Sequence, residues 1–163
     1  MPPRGLLSPK DKELIAIGAS IGAGCQSCTA HHVEVAREAH ATNEEIQEAI
    51  DQALVVRRHS TRIMLGLAER LLGNEDAVES HEGRELPLRG ELVSIAAAIG
   101  LNCTSSLQMH LRAAKKAGAT TRQIRVALTL ARMVRKVAMG KADAVAKVLT
   151  KQADAPISMA PST

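Results

Sequence analysis

Residues 13–32 read ELIAIGASIGAGCQSCTAHH, and residues 91–110 read ELVSIAAAIGLNCTSSLQMH. The second stretch lies 78 residues after the first, and at that offset residues 13–60 match residues 91–138 at about eighteen positions without a gap. Two unrelated alanine-rich helical segments of this length would share only a few identities. The chain therefore contains an internal duplication, and each copy is predicted to form one structural unit.

Each copy is predicted to form three helices, because no segment alternates in the manner of a β-strand. Ser8-Pro9-Lys10-Asp11 has the N-cap, first-turn proline and following carboxylate of a helix start, and Gly22-Ala23-Gly24 ends that helix. A second helix is predicted from near Cys25 to about His40, and the capping box Thr42-Asn43-Glu44-Glu45 opens a long third helix. The fold class is therefore all-α. The corresponding helices of the second copy are predicted over residues 88–99, 104–117 and 121–149.

The duplication divides the chain into two repeats, a linker and a tail. The first repeat spans residues 1–72 and the second spans residues 87–150. The acidic, glycine-containing residues 73–86 are predicted to be the linker, and the proline-containing residues 151–163 a flexible tail. Three helices with broad apolar faces have too few neighbours within one chain to cover them, which predicts a homo-oligomer.

The composition excludes several classes of protein. The 163 residues include no Phe, Trp or Tyr, and 45% of them are hydrophobic, a core composition that suits helix-on-helix packing. The absence of aromatic platforms and a net charge of only +4 argue against nucleic-acid binding. No apolar stretch is long enough for a membrane span or a signal peptide, so no membrane association and a cytoplasmic location are expected. Methionines 64, 109, 133 and 139 are predicted to fill gaps in the core.

Glu13, Cys25, Cys28 and His32 form the candidate catalytic site of the first repeat. On one helix the two cysteines and His32 lie within an arc of about 60° and point to the same side. The N-terminus of a helix favours a thiolate, and a histidine one turn further along can accept the thiol proton. If the chain folds back between the first two helices, Glu13 would approach His32 and orient its imidazole.

Other interpretations of these residues are weaker. The same four side chains could bind zinc, but three ligands within two turns of one helix are cramped for a tetrahedral site, so no metal is predicted. The pattern Glu-x11-Cys-x6-His recurs in both copies, and packing alone gives no reason to keep these polar types in register. His31 is expected to lie at the rim, because its counterpart in the second copy is Met109 rather than histidine.

The second copy keeps Glu91, Cys103 and His110 but has Ser106 where the first copy has Cys28. Cys103 therefore has no second cysteine beside it with which to form a disulfide. These four residues are predicted to be a degenerate second site. It would be either a structural remnant or a second pocket without dithiol chemistry.

The pattern Glu-x11-Cys-x2-Cys-x3-His, followed by a capped helix, resembles the carboxymuconolactone decarboxylase/AhpD-like family and is most similar to its thiol-bearing alkylhydroperoxidase D branch. The similarity spans roughly residues 7–149 and implies an AhpD-like multihelical fold with a duplicated core. It also implies that Cys28 attacks a peroxide and that Cys25 resolves the product, with His32 and Glu13 as the proton relay. Helical geometry alone leaves the order of attack open, because Cys28 is nearer the histidine and Cys25 nearer the helix terminus.

The resemblance implies a thiol-dependent antioxidant oxidoreductase that acts on hydroperoxides or disulfides, or that passes electrons to a peroxiredoxin. No tightly bound cofactor is expected; the reductant would be a dithiol such as the lipoyl group of an acyltransferase, and the assembly a homotrimer or a hexamer. The chain departs from the alkylhydroperoxidase D branch at Ser27, where that branch carries a histidine. Two alternatives are a lyase that acts on a small carboxylated lactone by Glu/His acid–base chemistry, and a non-enzymatic helical oligomer that senses oxidation through its cysteine pair.

Overall fold

The computed structural model describes residues 6–73 and 86–153, with side chains up to Thr150, and within these residues the chain forms six α-helices and no β-strand. The predicted all-α fold class is thereby confirmed, and the helix bounds lie within a few residues of the predicted ones. Residues 74–85 of the predicted linker and residues 154–163 of the predicted tail lie outside the described residues. In chain order the helices are α1 (Pro9–Gly22), α2 (Gln26–Glu38), α3 (Asn43–Leu71), α4 (Leu88–Leu101), α5 (Thr104–Lys116) and α6 (Thr121–Ala153).

Reciprocal capping boxes begin α1 and α3. At α1, the Asp11 backbone N–H donates to Ser8 Oγ over 3.0 Å, and the Asp11 carboxylate accepts from the Ser8 N–H. At α3, the Glu45 N–H donates to Thr42 Oγ1 over 3.2 Å, and the Glu45 carboxylate accepts from the Thr42 N–H over 3.0 Å. Each cap satisfies backbone donors that lack a partner within the helix, which fixes where the helix begins.

The centre of the molecule is the crossing of α1 and α4, where residues 14–20 of α1 and 90–98 of α4 are buried. Glycines allow the two backbones to approach closely. A Cβ atom built on Gly18 would lie 2.7 Å from the carbonyl oxygen of Val93, and one on Gly100 would lie 2.5 Å from that of Ala19. The larger apolar side chains of both helices fill the space on either side of this crossing. Those that are fully buried include Leu14, Ile15, Ile17, Leu92, Val93 and Ile95.

The turns that join the helices have the same backbone conformation in both repeats. Between the first and second helix, Gly24 has φ +67° and its counterpart Asn102 has φ +59°. Between the second and third, His40 has φ +63° and its counterpart Gly118 has φ +85°. Glycine adopts this left-handed region freely, and asparagine tolerates it better than most residues. The fold-back that the candidate site requires therefore occurs in both copies.

The two repeats share one core. Helix α1 packs on α3 of its own repeat and on α4 and α6 of the other, and α4 likewise packs on α3 and α6. Polar contacts reinforce this arrangement at one edge, where Arg89 of α4 reaches Asp11 Oδ1 at 3.0 Å and Glu45 Oε1 at 2.9 Å. Lys10 also contacts Glu45 Oε1, at 2.8 Å. Each long helix thus lies beside the short helices of both repeats.

The predicted burial of the methionines is wrong for three of the four. Met64, Met133 and Met139 are 61%, 60% and 57% exposed, whereas Met109 is half-buried. The three exposed residues lie on α3 and α6, which have 29 and 33 residues, against 14 for α1. Helices of this length extend beyond the short helices, so no other described part of the chain covers their outer faces. None of the helices in the described residues combines the length and the apolar content that a membrane span requires.

Candidate functional site

The two cysteines of the first repeat lie at the N-terminus of α2. Cys25 is the N-cap residue, and its Sγ accepts a hydrogen bond from the backbone N–H of Cys28 over 3.3 Å. Cys25 and Cys28 form a disulfide with their Cα atoms 5.3 Å apart. Both are buried, at 9% and 4% exposure. After reduction, the N–H groups and the positive end of the helix dipole would stabilise a thiolate here.

Glu13 and His32 form a hydrogen-bonded pair between α1 and α2. Their Oε2 and Nδ1 atoms are 2.8 Å apart, and the side chains are 23% and 19% exposed. An ionised carboxylate can only accept a hydrogen bond, so Nδ1 carries the proton and Nε2 is the basic nitrogen of the neutral ring. His32 lies one turn after Cys28 on the same face of α2. The imidazole is therefore held by Glu13 and has its second nitrogen available for proton transfer.

Hydroxyl and guanidinium groups fix the start of α2 against the end of α1. Thr29 Oγ1 donates to Ser20 Oγ over 3.0 Å, and the Cys25 N–H donates to the Ser20 carbonyl over 3.0 Å. Arg57 of α3 donates to the Ile21 carbonyl over 2.9 Å. These contacts set the angle between the two helices and so place Glu13 opposite His32. Neither Ser20 nor Thr29 belongs to a recognisable motif, so the sequence alone gives no signal for their part in the site.

The second repeat brings together the counterparts of the same residues. Glu91 Oε2 and His110 Nδ1 are 2.8 Å apart, as in the first repeat, but the pair is more buried, because the two side chains are only 4% and 11% exposed. Cys103 is the N-cap residue of α5, and its thiol donates to Ser106 Oγ over 3.2 Å. The acid–histidine geometry is thus the same in both repeats, and the difference between the sites lies in Ser106.

The thiol of Cys103 is acidified by its hydrogen bonds. Burial raises the pKa of Cys103. The thiolate, however, can accept hydrogen bonds from the hydroxyls of Ser106 and Ser60 and from the backbone N–H groups of Ser106 and Ser105, and these outweigh burial, so the pKa lies below its ordinary value. Ser60 belongs to α3, the long helix of the first repeat. The second site is therefore completed by a side chain from the first repeat.

The duplicated helices and the paired Glu–His sites agree with a comparison against known families. The model described as the carboxymuconolactone decarboxylase family matches residues 2–60 and 74–150, which together make up most of the chain. The chain belongs to the carboxymuconolactone decarboxylase family. No curated protein matches it. This family includes AhpD-like proteins, so membership establishes the kind of fold but leaves the reaction to be inferred from the site.

A lysine of the second repeat completes the first site of this family member. Lys141 Nζ, on α6, donates to Ser27 Oγ over 2.7 Å. Ser27 lies between the two cysteines, and its Oγ is 3.8 Å from Cys25 Sγ. The sequence gives no signal for this contact, since Lys141 is 114 positions away and belongs to no motif. The first and second sites therefore resemble each other in a further respect, because each receives a side chain from the long helix of the other repeat.

The remaining histidine near the first site lies where it was expected. His31 is exposed, and its ring lies edge-on to that of His32 with their centroids 5.1 Å apart. Among the described residues of this carboxymuconolactone decarboxylase family member, no group of three or more His, Cys, Asp or Glu side chains has a geometry that could hold a metal ion.

Proposed function

We propose that this protein is a thiol-dependent antioxidant oxidoreductase that reduces hydroperoxides with the Cys25–Cys28 dithiol. The observation that carries the proposal is the disulfide at the N-terminus of α2, one turn from an imidazole held by Glu13. A cysteine pair that can open and close, a base and a carboxylate that orients the base are the groups that peroxide reduction by thiols requires.

The proposed reaction follows the order of attack that the family resemblance implies. His32 takes the proton of the Cys28 thiol, and the thiolate attacks one peroxide oxygen and breaks the O–O bond. The alcohol leaves with a proton returned by the Glu13–His32 pair, and Cys28 becomes a sulfenic acid. The Cys25 thiol then attacks the sulfenic sulfur, which forms the disulfide and releases water. Overall, two thiols lose two electrons and the hydroperoxide becomes an alcohol and water.

Regeneration requires an external reductant. We propose a dithiol, such as the lipoyl group of an acyltransferase, because its first thiol can open the disulfide and its second can release the resulting mixed disulfide intramolecularly. The lipoyl group is then oxidised to its own disulfide and the enzyme returns to the dithiol state. A peroxiredoxin is the alternative partner, in which case the Cys25–Cys28 pair would pass these electrons on instead of reducing the peroxide itself.

The decisive test measures hydroperoxide consumption with dihydrolipoamide as the reductant. Cys28→Ser should reduce turnover to the background, whereas Cys103→Ser, the matched control, should keep most of it. Cys25→Ser should consume about one equivalent of peroxide and then stop, because the sulfenic acid forms but has no resolving thiol. Undiminished turnover in Cys28→Ser would refute the proposal, and a single turnover in Cys28→Ser instead of Cys25→Ser would reverse the order of attack.

A lyase is the second candidate function. It is favoured by the buried Glu91–His110 pair, which keeps the 2.8 Å contact although the second repeat has no cysteine pair. Such a pair can move protons on a small carboxylated lactone without any thiol. This candidate predicts that lactone turnover survives the combined Cys25→Ser/Cys28→Ser change and is lost in Glu91→Gln.

We also propose that the protein acts as a homo-oligomer, a trimer or a hexamer. Support comes from the large apolar side chains on α3 and α6 that are more than half exposed in the single chain, among them Met64, Leu71, Val145 and Leu149. Exposed apolar surface of this extent is typical of an interface. If the cysteine pair instead served a non-enzymatic redox sensor, its oxidation would change this assembly without measurable turnover.

A further inference from the structure

We propose that Ser27 and Lys141 form a hydrogen-bonded relay that stabilises the thiolate of Cys25 and thereby raises the reduction potential of the Cys25–Cys28 pair. The proposal concerns the same dithiol and so rests on the proposed function. In this proposal Ser27 donates a hydrogen bond directly to the sulfur of Cys25, and Lys141 is a positioning residue that acts through Ser27.

The relay connects a buried sulfur with a charge at the surface. Lys141 Nζ lies 2.7 Å from Ser27 Oγ, and Ser27 Oγ lies 3.8 Å from Cys25 Sγ. Cys25 is only 9% exposed, whereas Ser27 and Lys141 are both exposed. Ser27 is therefore the polar link through which the ammonium group can act on Cys25.

The chemistry of the two groups fixes the direction of the hydrogen bonds. An ammonium group has three N–H donors and no acceptor, so Ser27 Oγ must accept from Lys141. The single hydroxyl proton of Ser27 is then free to be donated, and Cys25 Sγ lies within reach. Donation to a thiolate is charge-assisted and stronger than donation to the neutral sulfur of a disulfide.

The relay consequently favours the reduced state. When an external thiolate attacks Cys28, the bond between the two cysteine sulfurs breaks, a new bond forms between the attacking sulfur and Cys28, and Cys25 leaves with the electron pair as a thiolate. Stabilisation of that thiolate lowers the free energy of the reduced pair relative to the disulfide. A couple whose reduced form is stabilised has a higher reduction potential.

The second repeat provides an internal comparison. The second site keeps the serine as Ser105, but the residue of α3 that corresponds to Lys141 of α6 under the 78-residue offset is Ile63. The lysine is thus present at the site with two cysteines and replaced by an apolar residue at the site with one. This distribution associates Lys141 with the dithiol, since the second repeat forms the same turns and helices although its site has no such lysine.

The test is the reduction potential of the Cys25–Cys28 pair, measured by equilibration with glutathione redox buffers, alkylation and mass spectrometry of tryptic fragments. Both cysteines lie on one such fragment and Cys103 on another. We expect Lys141→Gln to shift the equilibrium with glutathione about tenfold towards the disulfide, which lowers the potential by about 30 mV. Ser27→Ala should give a similar shift, and the double variant should give no larger one.

Lys147→Gln is the matched control, because Lys147 is an exposed lysine further along the same helix. It should leave the potential unchanged, and all variants should keep the thermal midpoint of the parent chain. An unchanged potential in Lys141→Gln, an equal shift in Lys147→Gln, or additive shifts in the double variant would each overturn the relay. The measurement uses no peroxide. If Lys141→Gln lowered the reduction potential as expected but the parent protein did not consume hydroperoxide, the result would therefore count against the proposed function alone.

Discussion

At the scale of single residues, the two repeats share the hydrogen bond between glutamate and histidine but differ where Cys28 of the first is Ser106 in the second. The Glu–His hydrogen bond is 2.8 Å long in both, although one site contains a disulfide and the other a cysteine beside Ser106. One substitution, serine for cysteine, thus separates a site capable of dithiol chemistry from one that is not. The acid–histidine pair is the feature that both sites have in common.

A second residue-scale feature is Glu45, whose carboxylate joins both repeats. A hydrogen bond from Lys10, together with those from the Thr42 backbone and Arg89, lowers the pKa of Glu45 from 4.5 to about 2. Because the folded-state pKa lies below that of the unfolded chain, this stabilisation is fully present above pH 4.5 and is lost as the pH falls towards about 2.

We therefore expect Glu45→Gln to lower the free energy of unfolding at neutral pH by about 0.5–1 kcal/mol, a modest value because the network is near the surface. The difference between Glu45→Gln and the parent chain should shrink as the pH falls from 4.5 to about 2. Urea unfolding followed by circular dichroism measures it. Glu48→Gln, which changes an exposed glutamate of the same helix, should show no such pH-dependent difference. A difference for Glu45→Gln that stayed constant with pH would contradict the stabilising role of the ionised Glu45 carboxylate.

At the scale of helices, the crossing of α1 and α4 determines where the site residues lie. Glu13 is on α1 and Glu91 is on α4, so the distance between these two helices sets the position of both carboxylates. Small residues at the crossing keep that distance short. A Cβ atom at Gly18 would lie 2.7 Å from the Val93 carbonyl oxygen and 2.8 Å from a Val93 methyl carbon.

Gly18→Ala should therefore destabilise the protein by about 1–3 kcal/mol, although alanine is the better helix former. Gly140→Ala is the matched change on α6, where an added Cβ would meet nothing within 4 Å, and it should stabilise by about 0.5–1 kcal/mol. Urea unfolding at equal protein concentrations gives the free energy of unfolding of both variants and of the parent chain. Stabilisation by Gly18→Ala as well would show that helix propensity, rather than packing, governs this position.

At the scale of the whole molecule, the described residues leave the outer faces of α3 and α6 exposed. Leu71, the last residue of α3, is 79% exposed and Leu72, which follows it, is 81% exposed. On α6, Val145 is 61% exposed and Leu149 is 58% exposed. These values explain why the methionines of the same helices do not belong to the core of one chain. A second copy of the chain would supply the apolar surface that is missing.

We expect light scattering to give a mass of three or six times the 17.3 kDa of one chain. Paired substitutions on one helix face, Val145→Glu with Leu149→Glu, should reduce that mass, because each places an uncompensated charge in the proposed interface. Leu6→Glu is the control, since Leu6 is an exposed leucine outside α3 and α6. A parent chain that is monomeric at micromolar concentration would exclude the proposed assembly.

The sequence alone determined the helices and the residue types of the site. Helix starts depend on neighbouring residues, as in the Ser8–Asp11 and Thr42–Glu45 capping boxes, so they can be predicted from local patterns. The 78-residue repeat identified Glu13 and His32 because their counterparts Glu91 and His110 recur at the same spacing. Local pattern and internal duplication together were sufficient for these features.

Only the tertiary structure decided which side chains meet across the repeats. The contact of Lys141 with Ser27, that of Ser60 with Cys103 and the exposure of Met64 depend on how the long helices cross the short ones. The sequence of a helix indicates which of its faces is apolar, but it does not indicate how far the neighbouring helices extend along that face. Such contacts join residues many positions apart, and their existence follows from the packing of the entire chain.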